Sequence, residues 1–116
     1  MNDTQKTLAP GDFRELTELH DMASQACELL KAMANEWRLI ILCQLSEGEK
    51  TVSELQSLLG LSQSALSQHL AVLRREKIVS ARKEAQSVFY SLAGDEATKV
   101  MDTLHDLFCG AQKPKD

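Results

Sequence analysis

Residues 51–79 read TVSELQSLLGLSQSALSQHLAVLRREKIV and carry the start and stop signals of two short helices. Thr51 and Glu54 have the spacing of a capping box, in which each side chain bonds to a backbone N–H at the start of a helix. Gly60 suits the end of that helix, and Ser62 suits the cap of the next one. A short turn that contains glycine and joins two helices is typical of a helix-turn-helix.

The second of these helices, predicted from Gln63 to about Lys77, has two different faces. Leucines at helical spacing mark the inner face, and they are Leu66, Leu70 and Leu73. The opposite face carries short or amide-bearing side chains, which are Gln63, Ser64, Ser67, Gln68 and Ala71. Amides and hydroxyls can both donate and accept hydrogen bonds, as the base edges in the major groove require. We therefore predict a recognition helix, with Arg74 and Arg75 near its C-terminus within reach of phosphates.

Three further helices are predicted before this motif and one after it. They cover residues 12–20, 22–34, 35–46 and 95–109. The segment NEWRLIILCQLS (35–46) is apolar on nearly every side, which is typical of a helix in the centre of a core. Asp95 is predicted to cap the last helix.

Two short segments after the recognition helix, VSARK (79–83) and SVFYSL (87–92), are predicted to form a two-stranded ribbon. Arg82 and Lys83 lie near its tip. A basic ribbon beside a helix-turn-helix is a wing, which can contact the minor groove or the DNA backbone. The sequence therefore predicts a mainly α protein with a small β-hairpin wing, of the winged helix-turn-helix class.

The distribution of charge agrees with a local DNA-binding surface. The whole chain of 116 residues has a formal net charge of −4, but residues 61–92 alone carry +3. A basic segment in an acidic chain suggests one anion-binding face. No apolar run approaches the roughly 20 residues that span a bilayer. The start of the chain, MNDTQKTLAPGD, lacks the apolar segment of a secretory signal. We therefore expect a cytoplasmic protein without a membrane partner.

The chain resembles the ArsR/SmtB family of winged-helix repressors in three stretches. These are LLKAMANEWRLIILCQL (29–45), the segment 51–79 quoted above, and SARKEAQSVFYSL (80–92). The resemblance implies a homodimer that packs through its first and last helices and binds an imperfect palindrome in double-stranded operator DNA. It assigns base recognition to Gln63, Ser64, Ser67, Gln68 and His69. His69 borders the inner face, so packing or a backbone bond is an equal alternative for this residue.

The resemblance also suggests how the chain is divided. We expect a flexible N-terminus (residues 1–11), one winged helix-turn-helix domain for DNA binding and dimerisation (12–110) and a flexible tail (111–116).

Cys27, Cys43 and Cys109 are an odd number of cysteines, and no Cys-x-x-Cys pair occurs. This argues against a structural disulfide framework and leaves packed thiols, a redox pair or part of a metal site. The positions of Cys43 and Cys109 resemble those in the persulfide-sensing branch of the family. That resemblance implies that reactive sulfur species link the two into a disulfide or polysulfide within one subunit, and that the repressor then leaves its operator.

The two thiols are expected to play different parts. Cys109 lies near the chain end and one turn from His105, so we expect it to attack the inducer. Cys43 lies in an apolar helix, which should raise its pKa and suit it to resolving the intermediate. A disulfide needs Cα atoms within about 7 Å, so a wider separation would favour persulfides over peroxide. Cys27 is expected to pack, with a thiol outside the sensing reaction as the alternative.

Other functions are weighed against this one. The main alternative is a metal-sensing or inducer-independent repressor of the same family. Metal-sensing members of the family carry either a Cys-x-Cys pair on the helix before the recognition helix or paired Asp and His residues on the last helix. Here the Cys-x-Cys pair is missing, and the last helix lacks a second His downstream of His105. We therefore expect no metal and no cofactor. An enzyme built on Cys109 and His105 would lack a third group to orient the pair. A winged helix that binds protein is disfavoured by the uncharged face with basic flanks.

Overall fold

Residues 13–109 are described by the computed structural model, and they form five α-helices, a π-helical segment and three β-strands. In chain order these are α1 (Phe13–Met33), α2 (Glu36–Ser46), β1 (Lys50–Thr51), α3 (Val52–Leu59), α4 (Gln63–Arg75), β2 (Val79–Glu84), β3 (Ser87–Leu92), α5 (Glu96–Leu104) and the π-helical segment (His105–Cys109). The predicted fold class, mainly α with a β-hairpin wing, is confirmed. The termini predicted to be flexible, 1–11 and 111–116, lie outside the described residues. None of the described helices is long and apolar enough to cross a membrane.

The three strands form one antiparallel sheet in the order β1-β3-β2. β2 and β3 are the predicted ribbon, joined by the two-residue turn Ala85–Gln86. β1 pairs with β3, with Lys50 opposite Tyr90 and Thr51 opposite Phe89. The sequence predicted only two strands, because a two-residue strand is too short to show an alternating pattern.

One long helix, α1, stands where two helices were predicted over 12–20 and 22–34. The predicted break near Asp21 is wrong. No glycine or proline occurs inside α1, so nothing interrupts the backbone hydrogen-bond ladder there. The apparent break is only a change in the spacing of the apolar side chains.

The core lies between α2, α3, α4 and the start of β2. Its fully buried large side chains are Ile41, Leu42, Leu55, Leu66, Leu70, Leu73 and Ile78. α2 was predicted to be buried all round, and this is wrong for its outer side. Trp37 and Ile40 are 39% and 40% exposed, because no described element of the same chain fully covers them.

The turn between α3 and α4 follows the predicted signals. The hydroxyl of Thr51 accepts from the N–H of Glu54 at 3.1 Å, and the Glu54 carboxylate accepts from the N–H of Thr51 at 2.8 Å. Gly60 ends α3 in the left-handed region with φ 70°, a conformation that glycine adopts without steric cost. The Ser62 hydroxyl accepts from the N–H of Ala65 at 3.1 Å and caps α4. These contacts confirm the helix-turn-helix. Asp95 precedes α5 but makes no capping bond, so that prediction is wrong.

The passage from α4 to β2 is a closed backbone motif. Lys77 has φ 62°, and its N–H donates to the carbonyl of Arg74 at 2.9 Å. The N–H of Ile78 donates to the carbonyl of Leu73, also at 2.9 Å. This is the bonding pattern of a Schellman motif, which a hydrophobic contact between the residues in the positions of Ile78 and Leu73 commonly completes. Both of these side chains are fully buried in the same cluster.

Candidate nucleic-acid interface

The outer face of α4 is open to solvent. Leu66, Leu70 and Leu73 are buried beneath it, as predicted. The residues predicted for base contact on this face are all exposed, and they are Gln63, Ser64, Ser67 and Gln68. Within residues 13–109, none of these four side chains makes a hydrogen bond to the protein. Their donors and acceptors are therefore available to a ligand.

His69 lies at the border of this face and is half-buried. Its Nδ1 is 3.4 Å from Nη1 of Arg38 on α2. Because a guanidinium can only donate, this contact requires Nδ1 to be the acceptor of a neutral imidazole. Burial, and secondly the positive charge of Arg38, lower the pKa of His69. His69 was predicted either to contact bases or to pack or bond to the backbone; it is half-buried, and its contact is with the side chain of Arg38.

Arg38 also binds the end of α1. Its Nε donates to the carbonyl of Ala32 at 2.5 Å, and its Nη2 donates to the carbonyl of Lys31 at 3.4 Å. A cation is favoured at a helix C-terminus, where carbonyls lack helical partners. Arg38 therefore joins α1, α2 and the recognition helix. This role of Arg38 was not predicted, because the local sequence around a single arginine in an apolar helix does not indicate which groups it will bond to.

The basic side chains at the end of α4 are exposed. Arg74 and Arg75 are both accessible, and Arg75 lies 3.8 Å from the carboxylate of Glu76. This exposed pair is long and contributes little to stability. Both guanidinium groups can turn towards an approaching phosphate.

The two basic residues of the wing differ in their surroundings. Lys83 is exposed and takes part in no ion pair within the described part of the chain. The guanidinium of Arg82 is bound by the carboxylates of Glu49 and Glu84 and lies 4.5 Å from the centroid of the Phe89 ring. Glu84 could have been found from the sequence, because residues two apart on a strand share a face. Glu49 could not, since 33 positions separate it from Arg82.

The three cysteines are exposed free thiols. Partial burial raises the pKa of Cys43, and the negative charges of Cys109 and then Glu47 raise it further. The direction of the Cys43 shift agrees with the prediction. Cys27 lies on the exposed surface of α1, so the prediction that it packs within its own chain is wrong.

Metal-ligating side chains are scattered. Among residues 13–109, no group of three or more His, Cys, Asp or Glu side chains could hold a metal ion together. His105 and Cys109 both lie in the π-helical segment.

Comparison with known proteins identifies the family. The profile of the family described as bacterial regulatory protein, arsR family, matches residues 35–81. The transcriptional activator HlyU of Vibrio cholerae is 54% identical over 98 residues, which are 84% of this chain and 91% of that protein. The biofilm growth-associated repressor of Agrobacterium fabrum is 39% identical over 109 residues, 94% of this chain and 92% of that protein.

A solved structure agrees with these relatives. Reduced HlyU from Vibrio cholerae N16961 superposes with a TM-score of 0.76 at 55% identity, covering 79% of this chain and 97% of that one. The relatives named here are transcriptional regulators, and the winged helix-turn-helix is shared. The chain therefore belongs to the arsR family of bacterial regulatory proteins.

Proposed function

We propose that this regulator is a repressor that binds operator DNA as a homodimer and leaves it when reactive sulfur links Cys43 to Cys109. The observation that carries the DNA-binding part is the outer face of α4, whose amides and hydroxyls are exposed and make no hydrogen bond to other described residues. The proposed base contacts are Gln63, Ser64, Ser67 and Gln68. Arg74, Arg75 and Lys83 then supply phosphate contacts around them. His69 holds α4 against α2 through its contact with Arg38.

Exposed apolar side chains at both ends of the described chain support a second copy as the partner. On α1 they are Leu16, Leu19, Met22 and Leu30, and in the π-helical segment they are Leu107 and Phe108. Large apolar side chains exposed in groups, when they form a contiguous patch, mark association sites. A twofold dimer would present two recognition helices to the two halves of a palindrome.

The sensing part is supported by the accessibility of Cys43 and Cys109, which are both exposed free thiols. The thiolate of Cys109 attacks the outer sulfur of a small persulfide, forming a persulfide on Cys109 and releasing the thiol of the inducer. The thiolate of Cys43 then attacks the inner sulfur of that persulfide and releases hydrosulfide, leaving a Cys43–Cys109 disulfide. If Cys43 has also been persulfidated, its terminal sulfur attacks instead, and the bridge keeps one extra sulfur. In both cases the protein thiols are oxidised and one sulfane sulfur leaves as hydrosulfide; in the second case the other stays in the bridge.

The test combines mass spectrometry with DNA release. Reduced protein is exposed to a low-molecular-weight persulfide, or to peroxide, while bound to duplexes selected from a random-sequence library. We expect a reductant-reversible cross-link between the Cys43 and Cys109 peptides, together with loss of the DNA complex. Cys43→Ser and Cys109→Ser should each abolish both effects, and Cys27→Ser is the matched control that should keep them.

Other outcomes identify the alternatives. Persulfide-driven release that survives both Cys43→Ser and Cys109→Ser contradicts the thiol mechanism and leads to metal titration. Equal modification of Cys27 would mean that exposure alone decides which thiol reacts.

A further inference from the structure

The wing carries a polar cluster on one face of the sheet, which we call the wing clamp. Its members are Arg82 on β2, Glu84 at the end of β2, Phe89 on β3, and Glu49 in the turn before β1. Arg82 stands directly opposite Phe89 in the β2–β3 register, and Phe89 stands opposite Thr51 of β1. The guanidinium of Arg82 therefore reaches across β3 to the turn that precedes β1.

The contacts of Arg82 use all three nitrogens of its guanidinium. Nε and Nη2 donate to the two oxygens of Glu49 at 2.8 and 2.9 Å, and Nη1 donates to Glu84 at 2.7 Å. The two parallel bonds to Glu49 form the fork geometry that distinguishes arginine from lysine. The ring of Phe89 supports the guanidinium from below at 4.5 Å.

We propose that Arg82 is a positioning residue that fixes the wing through Glu49, and that Lys83 is the wing cation that contacts DNA phosphate. The inference rests on the proposed DNA interface. It also replaces the expectation that Arg82 itself binds the DNA backbone.

Charge and direction both favour this assignment. The clamp contains one cation and two carboxylates, so its net charge is negative and does not attract phosphate. Successive side chains of a strand point to opposite faces, so Lys83 projects from the face opposite Arg82. Lys83 is exposed and has no carboxylate partner within residues 13–109. The hydrogen bond from Arg82 also lowers the pKa of Glu49, which keeps this carboxylate charged.

The variant Glu49→Gln separates the two roles by the direction of its effect. If Arg82 positions the wing, removing its charged partner weakens binding to the selected duplex by about threefold to tenfold, as expected for a well-formed exposed pair. If Arg82 binds phosphate, the same change frees it from a competitor and strengthens binding. Arg82→Lys separates the two roles again, because lysine keeps the charge and loses the two parallel bonds to Glu49. It should weaken binding if Arg82 positions the wing, and change it little if Arg82 binds phosphate.

The dependence of affinity on salt gives a second criterion. Arg82→Gln should weaken binding without changing the slope of log affinity against log salt. Lys83→Gln, the matched control one position along, should reduce that slope by about one phosphate contact. A reduced slope in Arg82→Gln, or unchanged or tighter binding in Glu49→Gln, would overturn the proposal.

Hydrogen exchange tests the clamp without DNA. Glu49→Gln and Arg82→Gln should both speed the exchange of wing amides in residues 79–92, while exchange in α1 and α2 stays as in the wild type. Unchanged exchange in the wing would overturn the clamp whatever the DNA result. Failure of the wild-type protein to select or bind any duplex would instead contradict the proposed function, and the exchange result would still decide the clamp.

Discussion

The recognition helix α4 and the wing are neighbours in sequence, yet they are held in place in opposite ways. α4 is fixed from inside by Leu66, Leu70 and Leu73, and the amides and hydroxyls of its outer face make no side-chain hydrogen bond within residues 13–109. Most side chains of the wing are exposed or only half-buried, and its arginine is bound by two carboxylates.

The difference shows which side chains of each element fix it in the fold and which are available to bind DNA. A buried apolar face sets the position of α4, so every polar group on the other side is available for recognition. In the wing only Val79 is buried among the described residues, and Tyr90 and Leu92 are partly buried against the core, so polar side chains must help to hold the end near the tip. The number of basic residues near a groove is therefore a poor measure of how many of them contact DNA.

The largest expected effect comes from removing the internal support of α4. Leu70→Ala should lower the free energy of unfolding by about 2–5 kcal/mol, because it leaves a cavity among fully buried side chains. Denaturant unfolding measures this change. Ser67→Ala on the outer face of the same helix is the control and should stay within about 0.5 kcal/mol of the wild type. Equal losses in the two variants would contradict the assignment of the two faces.

The outer face should show the reverse behaviour. Gln68→Ala should weaken binding to the selected duplex by about tenfold or more, in line with about 1–3 kcal/mol for a bidentate base contact. Its unfolding free energy and its binding to a non-specific duplex should be unchanged, since the amide has no hydrogen-bond partner in the part of the chain that the structure describes. Fluorescence anisotropy with both duplexes measures the two affinities. A parallel loss on both duplexes would assign Gln68 to the phosphate backbone.

The cap at the start of α4 stabilises the end of the helix that carries the proposed base contacts. Ser62→Ala should cost about 1 kcal/mol of stability, because the N–H of Ala65 loses its acceptor. Thermal unfolding measures this change. Ser64→Ala, two positions later and without a capping bond, is the control. If Ser62→Ala proves as stable as Ser64→Ala, water replaces the cap fully.

His69 gives the smallest effect, and its sign follows from its lowered pKa. The unfolded chain takes up a proton at the ordinary imidazole pKa, while the folded chain resists protonation until a lower pH. The contribution of His69 to the free energy of unfolding is therefore fully present above about pH 6.5, and it is lost as the pH falls from there through the lowered pKa of the folded state. His69→Gln should reduce this decrease relative to the wild type, as measured by thermal unfolding across that range. An identical pH profile in the variant would mean that the contact with Arg38 does not affect titration.

Local signals predicted the helix-turn-helix well. The capping box at Thr51, the left-handed Gly60 and the cap at Ser62 each act within a few residues, so the sequence contains the whole interaction. The leucine spacing likewise predicted the buried face of α4.

The rest depended on contacts between distant residues. The bonds from Arg38 to His69 and from Arg82 to Glu49 join positions that are 31 and 33 residues apart. No periodicity reveals such pairs, because they depend on how the elements pack. The exposed side of α2 was misjudged for the same reason: an apolar pattern does not say whether the same chain covers it.

The Schellman motif at Lys77 has a mechanical consequence. Its two backbone hydrogen bonds and the buried pair Leu73 and Ile78 restrict the movement of α4 relative to β2. The proposed recognition helix and the wing that follows it are therefore expected to move as one rigid unit with a constant angle between them. In the proposed dimer, a signal that releases DNA would then change the spacing or tilt of two such units, rather than bend either of them.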